Sequence, residues 1–333
     1  MRFIKANFPA DKADAVIKII EGCKPVDWSM DSGYGRYEKA VEIVVAKGEG
    51  QDLVDRLQSL LGGGDDWRVV VMPIEATLPR PDDTILEADK EATQKAKTVS
   101  LREELYQKVA GDCTLNTDFI ILTVLSAIVA AIGLNGDSVA IVIAAMVIAP
   151  LLGPILAFAL AAALGDLSLM KKATKTSLTG LVVGFAFAYA LSFVMPVNIG
   201  STEMVSRTVI GPEIIALALA SGAAAALSLS TGISSALVGV MVAVALLPPS
   251  VASALFLGAG ETDKAIGAAL LLAVNVVCAV LSAQLIFVWK GIRPRTWAGQ
   301  RKASVSVRIN ATVWIILLAA LAALAYRLNL QVL

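Results

Sequence analysis

The apolar half of this sequence carries few residues able to do chemistry, and they cluster. Pro150, Gly153 and Pro154 lie in "MVIAPLLGPILAF", Pro248, Pro249 and Ser250 in "AVALLPPSVASAL", and Asn275 in "LLAVNVVCAV". Proline has no N–H, so Pro150 cannot donate to the carbonyl of Met146, nor Pro154 to that of Pro150. Pro248 and Pro249 leave Val244 and Ala245 in the same state. In hydrocarbon a free carbonyl is tolerated only where protein or a polar cavity satisfies it. Two matched proline sites therefore predict discontinuous helices, whose N-termini would offer N–H groups to an anion or polar solute. The alternative is a plain proline kink packed by its neighbours. Gly153 would let backbone approach backbone or ligand. Asn275 would supply the one strong side-chain hydrogen bond, to a solute or to another helix. These seven residues form the candidate substrate-binding set.

Other chemistry lacks its residues. Histidine is absent, which removes the usual general base and the commonest metal ligand. The three cysteines, Cys23, Cys113 and Cys278, are scattered and odd in number, as inert thiols would be. No catalytic residue, metal or cofactor is expected, and the protein does not read as an enzyme. Formal net charge is zero, so nothing argues for a nucleic-acid partner.

The elements that must position the prolines are membrane helices. Hydrophobic residues make up 57% of the 333, and mean hydropathy is +0.74, above the apolar share of about 45–50% usual for soluble domains. Apolar segments fall at about 118–134, 139–164, 177–195, 214–229, 235–258, 266–289 and 310–326, most near the ~20 residues a bilayer core requires. A shift of 95 residues carries the second segment onto the fifth. Asp118 meets Glu213, Ser126 meets Ser221, Pro154 meets Pro249, and Gly165-Asp166 meets Gly260-Glu261. Two repeats, 118–196 and 213–290, then hold three segments each, with 310–326 as an extra. An odd number of crossings inverts the second copy, as in many secondary transporters.

Residues 1–76 are soluble in character, with no signal-peptide core. "RFIKANF", "VDWSMDS", "KAVEIVVAK" and "WRVVVMPIEA" read as strands, with "GYGRY" as a turn. "DKADAVIKIIEGC" reads as a helix with Ala15, Ile19 and Ile20 on one face, and "GQDLVDRLQSLLGGG" as a second helix. The order βαββαβ predicts a ferredoxin-like domain, with either a ligand-sensing or an oligomerising role. "LGGGDD" reads as a helix stop or a weak phosphate loop. Residues 77–117 form a charged linker and an interfacial helix, begun by a Ser100–Glu103 capping box, with Leu101, Leu105 and Val109 on one face. Residues 118–333 form the transmembrane domain.

Positive charge sets the expected orientation. With the front domain cytoplasmic, inner loops carry Lys171, Lys172, Lys175, Lys290, Arg293, Arg295, Arg301, Lys302 and Arg308, against Arg207, Lys264 and Arg327 outside. The C-terminus is then outside.

"SLREELYQKV", "DSVAIVIAAMVIAPLLGPILAFALAAALGD" and "LSTGISSALVGVMVAVALLPPSVASALFLG" resemble the bacterial and archaeal membrane proteins grouped as domain of unknown function 389. The resemblance covers about residues 100–290, and the α/β front resembles that of the longer members. It implies a multi-pass prokaryotic inner-membrane protein and brings no activity or catalytic residues with it. The expected function is a transporter or permease for a small polar or anionic solute, set in the lipid bilayer as a homo-oligomer with a cytosolic regulatory or oligomerisation domain. An oligomeric channel-like pore and a non-transporting scaffold or ligand sensor are the alternatives.

Overall fold

Arg2–Phe8 (β1) alternates buried and half-buried side chains along its whole length, as a strand with one covered face must. In the computed structural model, which describes residues 1–33, 37–45, 50–62, 66–74, 102–231, 235–292, 310, 312–324 and 327 (backbone only for 102–104 and 235–245), β1 is the centre of the front sheet. Asp27–Ser32 (β2), Lys39–Val45 (β3) and Arg68–Pro73 (β4) complete an antiparallel sheet in the order β2-β3-β1-β4. Ile4 pairs with Ile43 and Ala6 with Val41, placing all four on one face. Ala13–Cys23 (α1) covers that face with Val16 and Ile20, and Gly50–Leu61 (α2) with Leu53, Val54, Leu57 and Leu61. The α1 anchor is therefore Val16 rather than the expected Ala15, which is only half-buried. On the opposite face Lys5 Nζ donates to Glu42 Oε1 at 2.8 Å between paired strand positions.

The chain divides into two compact units, Met1–Leu105 and Tyr106–Leu333. The second opens within Arg102–Asp112 (α3) and continues through Thr117–Asn135 (α4), Val139–Ile148 (α5), Leu152–Leu164 (α6), Leu167–Leu191 (α7), Thr202–Val205 (α8), Pro212–Thr231 (α9), Ser235–Gly258 (α10) and Thr262–Trp289 (α11). Thr312–Leu324 (α12) follows. Among the described residues α4, α7, α9 and α11 are long and apolar enough to cross a membrane, and the bent pair α5–α6 makes a fifth span if counted as one. Leu246–Gly258 of α10 and α12 are shorter apolar helices. The sequence predicts seven segments, and this set is its coarser counterpart.

Two expectations need correction. The third segment starts at Leu167, not near 177, because the Asp166 side chain accepts from the N–H groups of Ser168 and Leu169 and nucleates the helix ahead of the lysines. The second proline site does not break its helix: Pro248 and Pro249 lie inside continuous α10. Proline's fixed φ is helical, so a helix held by its neighbours can run through both rings. The turn at 34–36, Gly63, Gly64 and Asp65, the linker 77–99, Ser100, Leu101 and the basic Arg293, Arg295, Arg301, Lys302 and Arg308 lie outside the described residues.

Small residues let the helices approach closely. A Cβ on Gly222 of α9 would sit 2.5 Å from the Ala279 carbonyl oxygen and 2.6 Å from its Cα in α11. Such backbone contact cannot give way, and it fixes the α9–α11 spacing.

The front core yields a direct test. Ile43 is fully buried opposite Ile4, so Ile43→Ala should cost about 2–5 kcal/mol. Pulse proteolysis in urea, followed on the front-unit fragment of the full chain, should show its midpoint fall; an unchanged midpoint would contradict the core assignment.

Candidate functional site

The site is built around one interruption. Ala149, which precedes Pro150, adopts φ −64° and ψ 121°, the extended conformation that a following proline imposes. The helix stops at Ile148 and resumes at Leu152, and the two pieces meet at 56°. Pro154 is the third residue of α6, in the first turn, where N–H groups have no intrahelical acceptor and a missing one costs nothing. The break is therefore the work of Pro150, and Pro154 begins the next helix.

The frayed end of α5 is held from the side. The Ser126 hydroxyl, fully buried in α4, donates to the Ala145 carbonyl at 2.8 Å. The Ala149 N–H reaches the same carbonyl at 3.2 Å. On the far side α7 passes close: a Cβ on Gly180 would lie 3.0 Å from Leu151 Cδ2 and 3.0 Å from Phe119 Cζ.

At the start of α6 the chain meets α3. A Cβ on Gly153 would lie 2.8 Å from both the Cβ and the carbonyl oxygen of Asp112. Glycine is the residue that admits this contact. Between α3, α6 and α9 a cleft of about 50 Å³ is lined by Val109, Asp112, Leu152, Gly153, Leu156, Ala225, Ser228 and Leu229. That is room for one or two waters, or a comparably small polar group. Partial burial pushes the Asp112 carboxyl above its usual range, and Lys108 on the same helix opposes the shift.

Three contacts moor α3 to α7. The Tyr106 hydroxyl donates to Asp166 Oδ2 at 2.8 Å, the same carboxylate that caps α7. Lys172 Nζ donates to the Ala110 carbonyl at 3.1 Å, and Thr176 Oγ1 to that of Cys113 at 3.3 Å. The expected interfacial helix is thus a strut against the bundle, with Val109 and Cys113 buried.

Of the seven candidate residues, Gly153 lines the cleft, Pro150 makes the break beside it and Pro154 is buried just behind. Pro248, Pro249 and Ser250 are buried in α10, flanked by Leu246, Leu247 and Val251 at no more than 2% exposure. Asn275 is buried in α11, where the neighbouring Val274 and Cys278 join a cluster with Ala218 of α9. None of these four belongs to the cleft lining. Sequence reasoning missed Asp112 and Ser228 as cleft residues. It also passed over Gln284, fully buried in α11, whose amide Nε2 and Oε1 find no partner among the described residues. Burying such an amide unpaired costs on the order of 2–7 kcal/mol. The described residues hold no cluster of three or more His, Cys, Asp or Glu suited to a metal.

The family model described as a domain of unknown function (DUF389) matches residues 146–281, from the end of α5 into α11. An uncharacterized protein of Methanocaldococcus jannaschii is 31% identical over 321 residues, 96% of this chain and 97% of the relative. No solved structure matches.

The Asp112–Gly153 contact is open to test. Gly153→Ala should force α3 away from α6 and cost about 1–3 kcal/mol, read as a lowered melting temperature of the detergent-solubilised protein. Gly22→Ala, inside α1 at a position with nothing within 4 Å, is the control that should not lower it. Equal behaviour of the two variants would contradict the packing.

Proposed function

Because this chain belongs to the family described as a domain of unknown function (DUF389), whose description assigns no activity, we infer its function from its own geometry: it is a membrane permease for a small polar solute. The observation that carries this reading is the 56° break at Pro150 inside an apolar helix pair, beside a largely apolar cleft in which Asp112 and Ser228 are the polar side chains. Interrupted helices in membranes persist where they line a cavity or a solute site. Gln284, a buried amide in need of hydrogen bonds, adds a polar group that simple packing does not explain. Asp112 at the cleft favours a neutral polar solute over an anion.

The membrane unit is an inverted repeat in this reading. Helix starts support it: 95 residues separate Thr117 of α4 from Pro212 of α9, and Leu167 of α7 from Thr262 of α11. Gly165 and Gly260 share that spacing and both have positive φ, 69° and 83°. Each precedes an acidic N-cap residue, Asp166 and Glu261. The cross-packing is reciprocal as well, α7 lying against α10 and α11 against α6. The break itself is asymmetric, since α10 continues through its prolines, and this favours a non-transporting scaffold as the second reading. The front unit is ferredoxin-like, an assignment supported by its βαββαβ order and its strand order β2-β3-β1-β4, and it regulates or assembles the permease.

Two experiments follow. In proteoliposomes challenged with a panel of small neutral and anionic solutes, light scattering should recover faster than in empty vesicles for at least one neutral solute. Pro150→Ala returns a donor to the Met146 carbonyl, and should keep the protein in the membrane while removing that recovery. Wild-type vesicles no faster than empty ones for every solute would leave the scaffold reading in place.

The second concerns orientation in the prokaryotic cell membrane, with the front unit cytoplasmic. Ser206 and Thr174 are both exposed. In a background without native cysteines, Ser206→Cys should react with an impermeant maleimide on intact cells and Thr174→Cys should not. The reverse pattern would invert the topology.

A further inference from the structure

Both helices of the front unit cover one face of its sheet, and among the described residues of that unit no element covers the other. On that bare face strand register sets the side chains in rows across β2, β3, β1 and β4. The first row reads Asp27, Val44, Phe3, Met72. The second centres on Glu42 beside Lys5, with Val70 at its end, and the third runs from Asp31 on β2 to Arg68 on β4. Met72 is 44% and Val70 37% exposed. A solvated sheet face should be polar throughout. This one has an apolar row at one end and an ordered charge pattern over the rest.

We propose that the bare sheet face is the dimerisation surface of the protein, and that its occupant is the same face of a second copy. The charges select the geometry. A twofold axis parallel to the strands, between β1 and β3, reverses the strand order of the facing sheet while keeping each row opposite itself. Lys5 then faces the partner's Glu42, Arg68 faces the partner's Asp31, and Phe3 faces the partner's Val44. Every charge on the second and third rows meets its opposite; on the first, Phe3 and Val44 meet at the centre, while Asp27 at the β2 edge lies opposite the partner's Met72. The other in-plane twofold, across the strands, sets Lys5 on the partner's Lys5 and Glu42 on the partner's Glu42, and is repulsive. The Lys5–Glu42 ion pair at 2.8 Å becomes half of an alternating four-charge ring around the favoured axis.

The size of the face fixes the strength of the contact. Four strands about 4.8 Å apart and about 23 Å long present about 440 Å² per copy. The total, about 900 Å², lies below the roughly 1,200 Å² at which stable interfaces begin. Such a dimer is weak in free solution. Anchoring both copies in one bilayer raises their effective concentration and makes it persist. The proposal does not depend on what solute the membrane unit carries.

The test uses the full chain in phospholipid vesicles, with donor- and acceptor-labelled copies mixed and energy transfer measured against protein density. Asp31→Arg turns two symmetry-related attractive pairs repulsive and should raise the apparent dissociation constant about tenfold. The double variant Asp31→Arg/Arg68→Asp restores opposite charges across the axis and should return transfer to the wild-type curve. A structural role for either residue alone would give no such rescue. Circular dichroism of each variant checks that the sheet is retained. Absence of transfer in the wild type, transfer unaffected by Asp31→Arg, or failure of the double variant to restore it would each overturn the proposal. The second of these results would assign association to the membrane unit.

Discussion

A peptide carbonyl in hydrocarbon that loses its donor has only the protein to turn to, and Pro150 imposes that condition on Met146. The contacts around the break hold the chain on either side of it. Ser126 spends its hydroxyl on the Ala145 carbonyl instead of its own helix. Pro154 sits in the first turn of α6, where its missing N–H costs nothing. Gly180 lets α7 close over Leu151, and Gly153 lets α3 close over the start of α6. A side chain at Gly153 would meet the Asp112 backbone and part α3 from α6.

The same economy links the break to α3. Asp166 uses one carboxylate oxygen to start α7 and the other to hold Tyr106, so the end of α6, the start of α7 and the position of α3 are set together. Lys172 and Thr176 extend that mooring along the next turns. Asp112 reaches the cleft because α3 is fixed at these points, and Ser228 closes it from α9. A helix that sequence alone places along the membrane surface thus becomes one wall of the site.

Much of this was legible in local pattern and some was not. The break at Pro150 follows from one missing N–H and the backbone restriction on Ala149. Asn116, whose side chain accepts from Phe119 N–H, and Asp166 are capping residues visible in the sequence, and reading them would have placed the starts of α4 and α7 correctly. Hydropathy alone put the third segment ten residues late, because Lys171, Lys172 and Lys175 are polar yet good helix formers. Pro248 and Pro249 carry the same local signal as Pro150. Their different outcome is decided by packing from other helices, which no local pattern contains. The contact of Asp112 with Gly153 joins residues 41 positions apart in the chain, and the two helices meet there only once the bundle has formed. In the front unit, alternation and turns were enough for the strands, while the choice of Val16 over Ala15 depended on where α1 settles on the sheet.

The central claim is that the break at Pro150 is a polar, water-reached feature and not a dry kink. Hydrogen–deuterium exchange of the protein in lipid nanodiscs, resolved at the amides of Leu151, Leu152 and Gly153, measures that directly. The account predicts exchange orders of magnitude faster there than at Val274 and Val277 in the middle of α11. Protection at the break equal to that of α11 would contradict it, and would make the interruption a packed structural bend.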